Sequence, residues 1–244
     1  MDSGFYAATT ALMAQSQALE LVANNLANSS TAGHRAQRSV FRSLLAGGSG
    51  FPISELNRAA NDYGVLEGSQ VDLSQGNLQH TGSVLDFAIE GPGFFAVQTP
   101  AGKAFTRNGS FHVANGQLVT SQGHPVLGTN GPIPIIDQPL SVSADGTISV
   151  KGAIAGKLSL TEFQPGTQLQ SIGETYYSAP AGSEAASAQS SVRQGTLESS
   201  NVNPIGSVVD LITVQRSAEL MQRALSMFHS DLNRIATEDL PRVG

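Results

Sequence analysis

The chain has 244 residues, of which 13% are charged, and its formal net charge of −6 argues against a broad phosphate-neutralising surface. It contains no cysteine, which excludes a disulfide framework, thiolate metal sites and a cysteine nucleophile. The length suits one large domain or two small ones, and no apolar run reaches the ~18 residues that a transmembrane helix needs.

At the amino terminus the first basic residues are His34 and Arg35, and only Asp2 and Glu20 are charged before them. A secretory signal needs a positive region ahead of its apolar core, so the sequence predicts export, if any, without such a cleaved signal. Residues 3–28 have a helical period. Phe5, Leu12, Leu19 and Leu26 recur every seven residues, with Ala8, Gln15 and Val22 three positions after the first three of them, which makes an a/d seam broken only at Gln15. Asn24-Asn25 and the run from Asn28 to Gly33 end the helix, with Gly33 placed for the left-handed cap region. Arg35, Arg38 and Arg42 then follow at helical spacing. Only Phe41 lies among them, too little for a platform that stacks single-stranded nucleic acid.

The middle of the chain reads as β structure. Residues 46–50 form a glycine-rich joint, and between about 76 and 198 short apolar runs are bounded by turn signals. Leu85–Ile89 and Phe94–Val97 are two such runs, and Gly91-Pro92-Gly93 between them reads as a hairpin turn. Asn108-Gly109, Asn115-Gly116, Asn130-Gly131 and Asp145-Gly146 tolerate positive φ. The last β runs are Lys157–Phe163 and Tyr176–Ser178, and residues 179–191, poor in bulky apolar side chains, read as a second joint.

The carboxyl end repeats the heptad pattern more cleanly. Leu211, Ala218, Leu225 and Leu232 form one row, and Val214, Met221, Phe228 and Ile235 form the other. A helix over 207–237 follows, with Pro204 near its start and Pro241 beyond its end. A single amphipathic helix of this kind usually packs on its own domain. Two heptad helices, one at each terminus, point to a pairing seam.

No catalytic constellation emerges. The five histidines (34, 80, 112, 124 and 229) are scattered, and there is no H-E-x-x-H, phosphate loop or nucleophile elbow. Asp137 and Asp145 are conceivable as a carboxylate pair. Asp145, however, precedes Gly146 in a turn, where its side chain can bond local amides. The sequence thus predicts no enzyme, no cofactor and no metal site.

Three blocks carry a family resemblance. Ala23–Gly33 (Ala-Asn-Asn-Leu-Ala-Asn-Ser-Ser-Thr-Ala-Gly) resembles the amino-terminal signature of bacterial flagellar rod and hook proteins, with Gly33-His34-Arg35 where the family usually has Gly-Phe-Lys. Gly76–Thr81, Leu85–Val97, Phe105–Phe111 and Gly116–Val119 are similar to the start of the family's β domain. Gly195–Asn203 (Gly-Thr-Leu-Glu-Ser-Ser-Asn-Val-Asn), followed by Asp210-Leu211-Ile212 and Gln215-Arg216, is similar to its carboxyl-terminal motif. The motif residues are Asn24, Asn25, Leu26, Asn28, Gly33, Leu197, Glu198, Asn201, Val202 and Asn203.

The resemblance implies a non-catalytic axial subunit of the basal-body rod. Its partners would be copies of itself, other rod proteins and the flagellar export apparatus, with no nucleic acid and no membrane span. The implied fold class is α+β, with terminal heptad helices around a mainly antiparallel β domain. Residues 1–33 would form the amino-terminal helix of the axial core, 34–75 an extended linker, 76–198 the outer β domain and 199–244 the carboxyl-terminal helix. The motif asparagines are expected either to cap local backbone or to satisfy backbone groups of neighbouring subunits. Length excludes the longer hook protein; the opening Met1-Asp2 with Thr31–Gln37 resembles the proximal rod protein, while Gln37–Phe41 and Leu44-Leu45 resemble the distal one, so a proximal subunit is expected with a distal subunit as the alternative. Two other classes stay open: a β-sandwich surface-binding module, which would need an aromatic platform from a chain without tryptophan, and a hydrolase using Asp137 or Asp145.

Overall fold

The computed structural model describes residues 2–42, 65–135, 140–164, 166–173, 175–186 and 189–238. The chain divides into two compact units. One comprises Met1–Leu26, Arg38–Ser69 and Pro204–Gly244, and the other Ala27–Gln37 with Gln70–Asn203.

The first unit contains both long helices. α1 runs Asp2–Ala27 and α2 runs Pro204–Glu238. Proline at the first position of α2 costs nothing, because that N–H has no intrahelical partner anyway. On α2 the heptad positions Leu211, Val214, Ala218, Met221 and Leu225 are partly buried, whereas Asp210, Gln215, Arg216, Glu219, Gln222 and Arg223 are exposed. On α1 the positions Leu12, Leu19, Val22 and Leu26 are partly buried, while Met13, Gln17 and Glu20 are exposed. Phe5, Phe228, Leu232 and Ile235 fall within the helices, but their side chains lie outside the described ones, and the joint at 46–50 lies outside the described residues. Ile205, Val209 and Ile212 are also exposed near the start of α2, so its apolar surface extends beyond the heptad rows. Arg38 and Arg42, read at helical spacing, belong instead to the strand Gln37–Arg42, which pairs with Val65–Val71.

The second unit is built on an antiparallel six-stranded sheet. In spatial order its strands are Gln170–Ser171, Tyr176–Ser178, Gly102–Thr106, Phe94–Thr99, Leu160–Phe163 and Glu184–Ala186. Successive side chains on a strand point to opposite faces, so a continuous apolar run marks a strand covered on both sides. Phe95 and Val97 accordingly join one core cluster, with Phe87, Phe111, Leu118 and Ile148, while Phe94 and Ala96 join another, with Phe105 and Tyr177. Tyr176 and Tyr177 divide between the clusters in the same way. Edge-to-face contacts of Phe95 and Phe87 with Phe111, at 5.2 and 5.7 Å between centroids, fix the first cluster.

Four local expectations change. Gly91-Pro92-Gly93 is not a hairpin turn: Phe87–Glu90 pairs with Ser191–Gln194, whereas Phe94–Thr99 lies in the six-stranded sheet, so the tripeptide crosses between sheets. The expected joint 179–191 contains the edge strand Glu184–Ala186, whose Glu-Ala-Ala sequence has low β propensity and which pairs through its backbone with Thr161–Phe163. The β runs continue beyond Ser178 through Ser191–Gln194 and Thr196–Glu198. Asn108-Gly109 is no positive-φ turn; Asn108 Oδ1 instead accepts the Ser110 N–H at 3.0 Å. Asn115-Gly116 does form the expected hairpin turn, with φ of 52° and 72° between the paired strands Phe111–Ala114 and Gln117–Thr120.

A buried charge clasp as candidate functional site

Two arms enter the β unit from the ends of the helices: residues 27–37 after α1 and residues 195–203 before α2. They hydrogen-bond to each other. Gly33 N–H donates to the Glu198 carbonyl at 2.7 Å, and Asn201 N–H donates to the His34 carbonyl at 3.4 Å. Gly33 adopts φ of +69°, and a Cβ there would lie 2.2 Å from the Asn108 nitrogen. Its glycine therefore serves close approach to the β unit, six residues beyond the end of α1, rather than the helix cap expected from sequence.

Between the arms lies a buried ion cluster. Glu198 Oε1 sits 2.8 Å from Arg35 Nη2 and accepts the Gly76 N–H at 2.7 Å. Its Oε2 accepts from Arg107 Nη1 at 3.1 Å. The three side chains are 0–1% exposed. Two further donors reach carbonyls, Arg35 Nη1 that of Ser74 and Arg107 Nη2 that of Gly91 at 2.6 Å, while Nε of each arginine is buried without a hydrogen-bond partner. The Arg107 guanidinium also lies over the Phe94 ring, 4.8 Å from its centroid. Arg35 N–H donates to Tyr177 Oη at 2.9 Å.

Asn201 completes the clasp. Its Oδ1 accepts the Ala36 N–H at 2.7 Å, and its Nδ2 donates to the Asp72 and Ser74 carbonyls at 3.0 and 2.9 Å. One amide thus ties the carboxyl-terminal arm to the amino-terminal arm and to the segment Asp72–Ser74. These partners lie far from Asn201 in the sequence rather than in its local backbone.

Electrostatics set the character of the site. Two cations share one anion out of water, and burial is the largest influence on both guanidiniums, pulling Arg35 below its ordinary value and Arg107 down to about 10. Repulsion from Arg35 adds to the lowering at Arg107, and Glu198 opposes it in both. Both stay charged at neutral pH. Removing ions from water costs several kcal/mol each, and their mutual attraction largely offsets that cost rather than adding net stability.

Burial also pushes the Tyr177 phenol up to about 12 from 10, against the opposing effect of the Arg35 N–H bond. Between pH 10 and 12 the folded chain keeps a proton that the unfolded chain has lost, so the phenol's own contribution to stability falls as pH rises through that window. Arg107 contributes with the opposite sign there, which makes absorbance the better readout than melting. A spectrophotometric titration is expected to show a phenolate step near pH 12 that Tyr177→Phe removes. Persistence of that step in the variant would contradict the assignment.

Of the motif residues read from sequence, Gly33, Glu198 and Asn201 converge here. Leu197 pairs with Gln79 in the sheet, and Val202 is buried beside the clasp residue Asn201 in the chain. Asn203 and Asn24 are exposed, and Asn25 is buried on α1. Asn28 makes a turn, accepting from Thr31 Oγ1 at 3.2 Å. Arg35, Arg107 and Tyr177 were not picked out by sequence reasoning. The available signal was that Phe105–Phe111 and Gly195–Asn203 each hold a single charged residue, Arg107 and Glu198.

Nothing else among the described residues suggests chemistry. No group of three or more His, Asp or Glu side chains could hold a metal ion, and no helix is long and apolar enough to cross a membrane. Asp145 does bond its own turn, accepting the Thr147 N–H at 3.2 Å, while Asp137 lies outside the described residues. The groove that Asp145 lines holds two lysines, each paired with a carboxylate: Lys157 with Asp145 and Lys103 with Glu184.

The β unit thus holds its two arms clasped together, and in the chain each arm is continuous with a long helix. Three family models match, in chain order. They are "Flagella basal body rod protein" over residues 5–35, "Flagellar hook protein FlgE/F/G D1 domain" over 88–150 and "Flagellar basal body rod FlgEFG protein C-terminal" over 193–238. The flagellar basal-body rod protein FlgF of Mesorhizobium japonicum is 35% identical over 90% of both chains. The FlgG rod protein of Buchnera aphidicola subsp. Baizongia pistaciae is 33% identical over 97% of this chain and 99% of its own. Escherichia coli FlgF is 32% identical over 96% of this chain and 97% of its own. The chain belongs to the flagellar basal-body rod protein family.

Proposed function

We propose that the chain is a structural subunit of the bacterial flagellar basal-body rod, self-assembling through its terminal helices into the shaft that transmits torque. The observation that carries this is near-full-length similarity to proteins named as basal-body rod proteins, with family matches at both termini. The one-sided burial along α1 and α2 supports a coiled-coil-like role for the heptad rows from Phe5 to Leu26 and from Leu211 to Ile235. Packing these rows against neighbours removes apolar surface from water in every subunit. In this reading the terminal helices build the axial core, residues 76–198 face outward, and the partners are further copies and other rod proteins.

Delivery runs through the flagellar export apparatus to the periplasm-spanning basal body. The subunit is not an enzyme. Within the rod we assign it the proximal position, on the residues Met1-Asp2 and Thr31–Gln37. A distal position is the second reading, on the residues Gln37–Phe41 and Leu44-Leu45. Basal bodies purified from wild-type and deletion strains test the function. The chain is expected in the wild-type preparation by mass spectrometry, and the deletion strain is expected to lack complete rods; its absence from purified basal bodies would refute the proposal.

A further inference from the structure

The clasp has a property that its role in holding the β unit does not require. Each arm alone is poorly satisfied. Without residues 198–201, Arg35 and Arg107 face each other without their carboxylate, and the Gly33, Ala36 and Gly76 N–H groups lose their acceptors. Without residues 33–36, Glu198 loses one of its two cations, and the Asn201 amide loses its bond to Ala36. A buried charge or amide left without its partner is costly, so states with only one arm seated are penalised from both sides.

We infer that Arg35, Arg107, Glu198 and Asn201 act as positioning residues that make the two arms seat and release as one cooperative unit, so that α1 and α2 are delivered to assembly together. The consequence for assembly rests on the rod-subunit reading; the cooperativity itself does not. Neighbouring segments in the chain make the link direct, since α1 ends at Ala27 and α2 begins at Pro204, each within a few residues of the clasp.

Two contacts touch one arm without touching the other. Tyr177 Oη accepts only from the amino-terminal arm, at Arg35 N–H. Gly76 packs against the carboxyl-terminal arm, where an added Cβ would lie 2.0 Å from the Ser199 carbonyl oxygen. Native-state hydrogen exchange on the full chain therefore tests the inference with Tyr177→Phe and Gly76→Ala.

In the wild type, the Gly33 and Ala36 amides of one arm and the Ser199 and Asn201 amides of the other are expected to share one protection factor and one denaturant dependence. That protection should be lower than for core amides such as Ala96 and Val126. Tyr177→Phe is expected to speed exchange about five- to tenfold at Ser199 and Asn201 as well as at Gly33 and Ala36, the size of one lost hydrogen bond. Gly76→Ala should show the converse; should it fail to fold, Tyr177→Phe carries the test alone. A Tyr177→Phe effect confined to residues 33–36, or absent from both arms, would overturn the inference. So would arm amides that exchange only with the core, because the arms would then be ordinary parts of the β unit. None of these results depends on whether the chain is found in rods.

Discussion

A strain carrying Leu225→Asp is expected to assemble no rod and to lose swimming, while the β unit of the same chain stays folded. Leu225 lies in the middle of the α2 heptad rows and is partly buried, with exposed Gln222 and Arg223 just before it on other faces of the helix. A carboxylate forced into an apolar seam without a partner costs several kcal/mol, and a filament repeats that cost at each subunit. Leu225 is not a member of either core cluster, the one around Phe95 or the one around Phe94. Swimming assays with electron microscopy of basal bodies read the assembly defect, and hydrogen exchange at Ala96 and Val126 reads the β unit. Normal swimming in this strain would remove Leu225 from the seam.

The second large effect concerns charge balance. Glu198→Met is expected to destabilise the β unit by about 3–5 kcal/mol, because two guanidiniums, each 1% exposed, are then left without their carboxylate. Adding Arg35→Met and Arg107→Met should recover most of that loss, since an apolar replacement of a whole buried ion cluster is often neutral or stabilising. Urea denaturation followed by circular dichroism measures both, and it avoids reliance on tryptophan, which the chain lacks. A triple variant no more stable than Glu198→Met would show that side-chain shape, rather than charge, dominates the clasp.

Elements whose signal is local were legible in the sequence. The heptad rows gave both helices because one face of each had to be apolar, and α1 and α2 match the expected spans within a few residues. Phe94–Val97 was legible as a strand because a run covered on both faces cannot alternate, and Asn115-Gly116 because its φ values suit those residues. What was not legible depends on partners far apart in the chain. Arg35 reads as a surface cation until Glu198, 163 positions later, is placed beside it, and Tyr177 reads as a strand residue until its hydroxyl meets the Arg35 N–H. Glu184–Ala186 escaped notice for a related reason, since an edge strand can be held by backbone pairing alone. The exposed Ile205, Val209 and Ile212 show that a period of seven captures one face of α2 and passes over another.

In the proposed rod the terminal helices, rather than the β unit, hold subunits together. An electron cryomicroscopy map of basal bodies containing this chain tests it most directly. Leu12, Leu19, Leu211 and Leu225 are expected to lie in van der Waals contact with helices of adjacent subunits around the rod axis. A map in which these four side chains face solvent, with subunits joined only through residues 76–198, would contradict it.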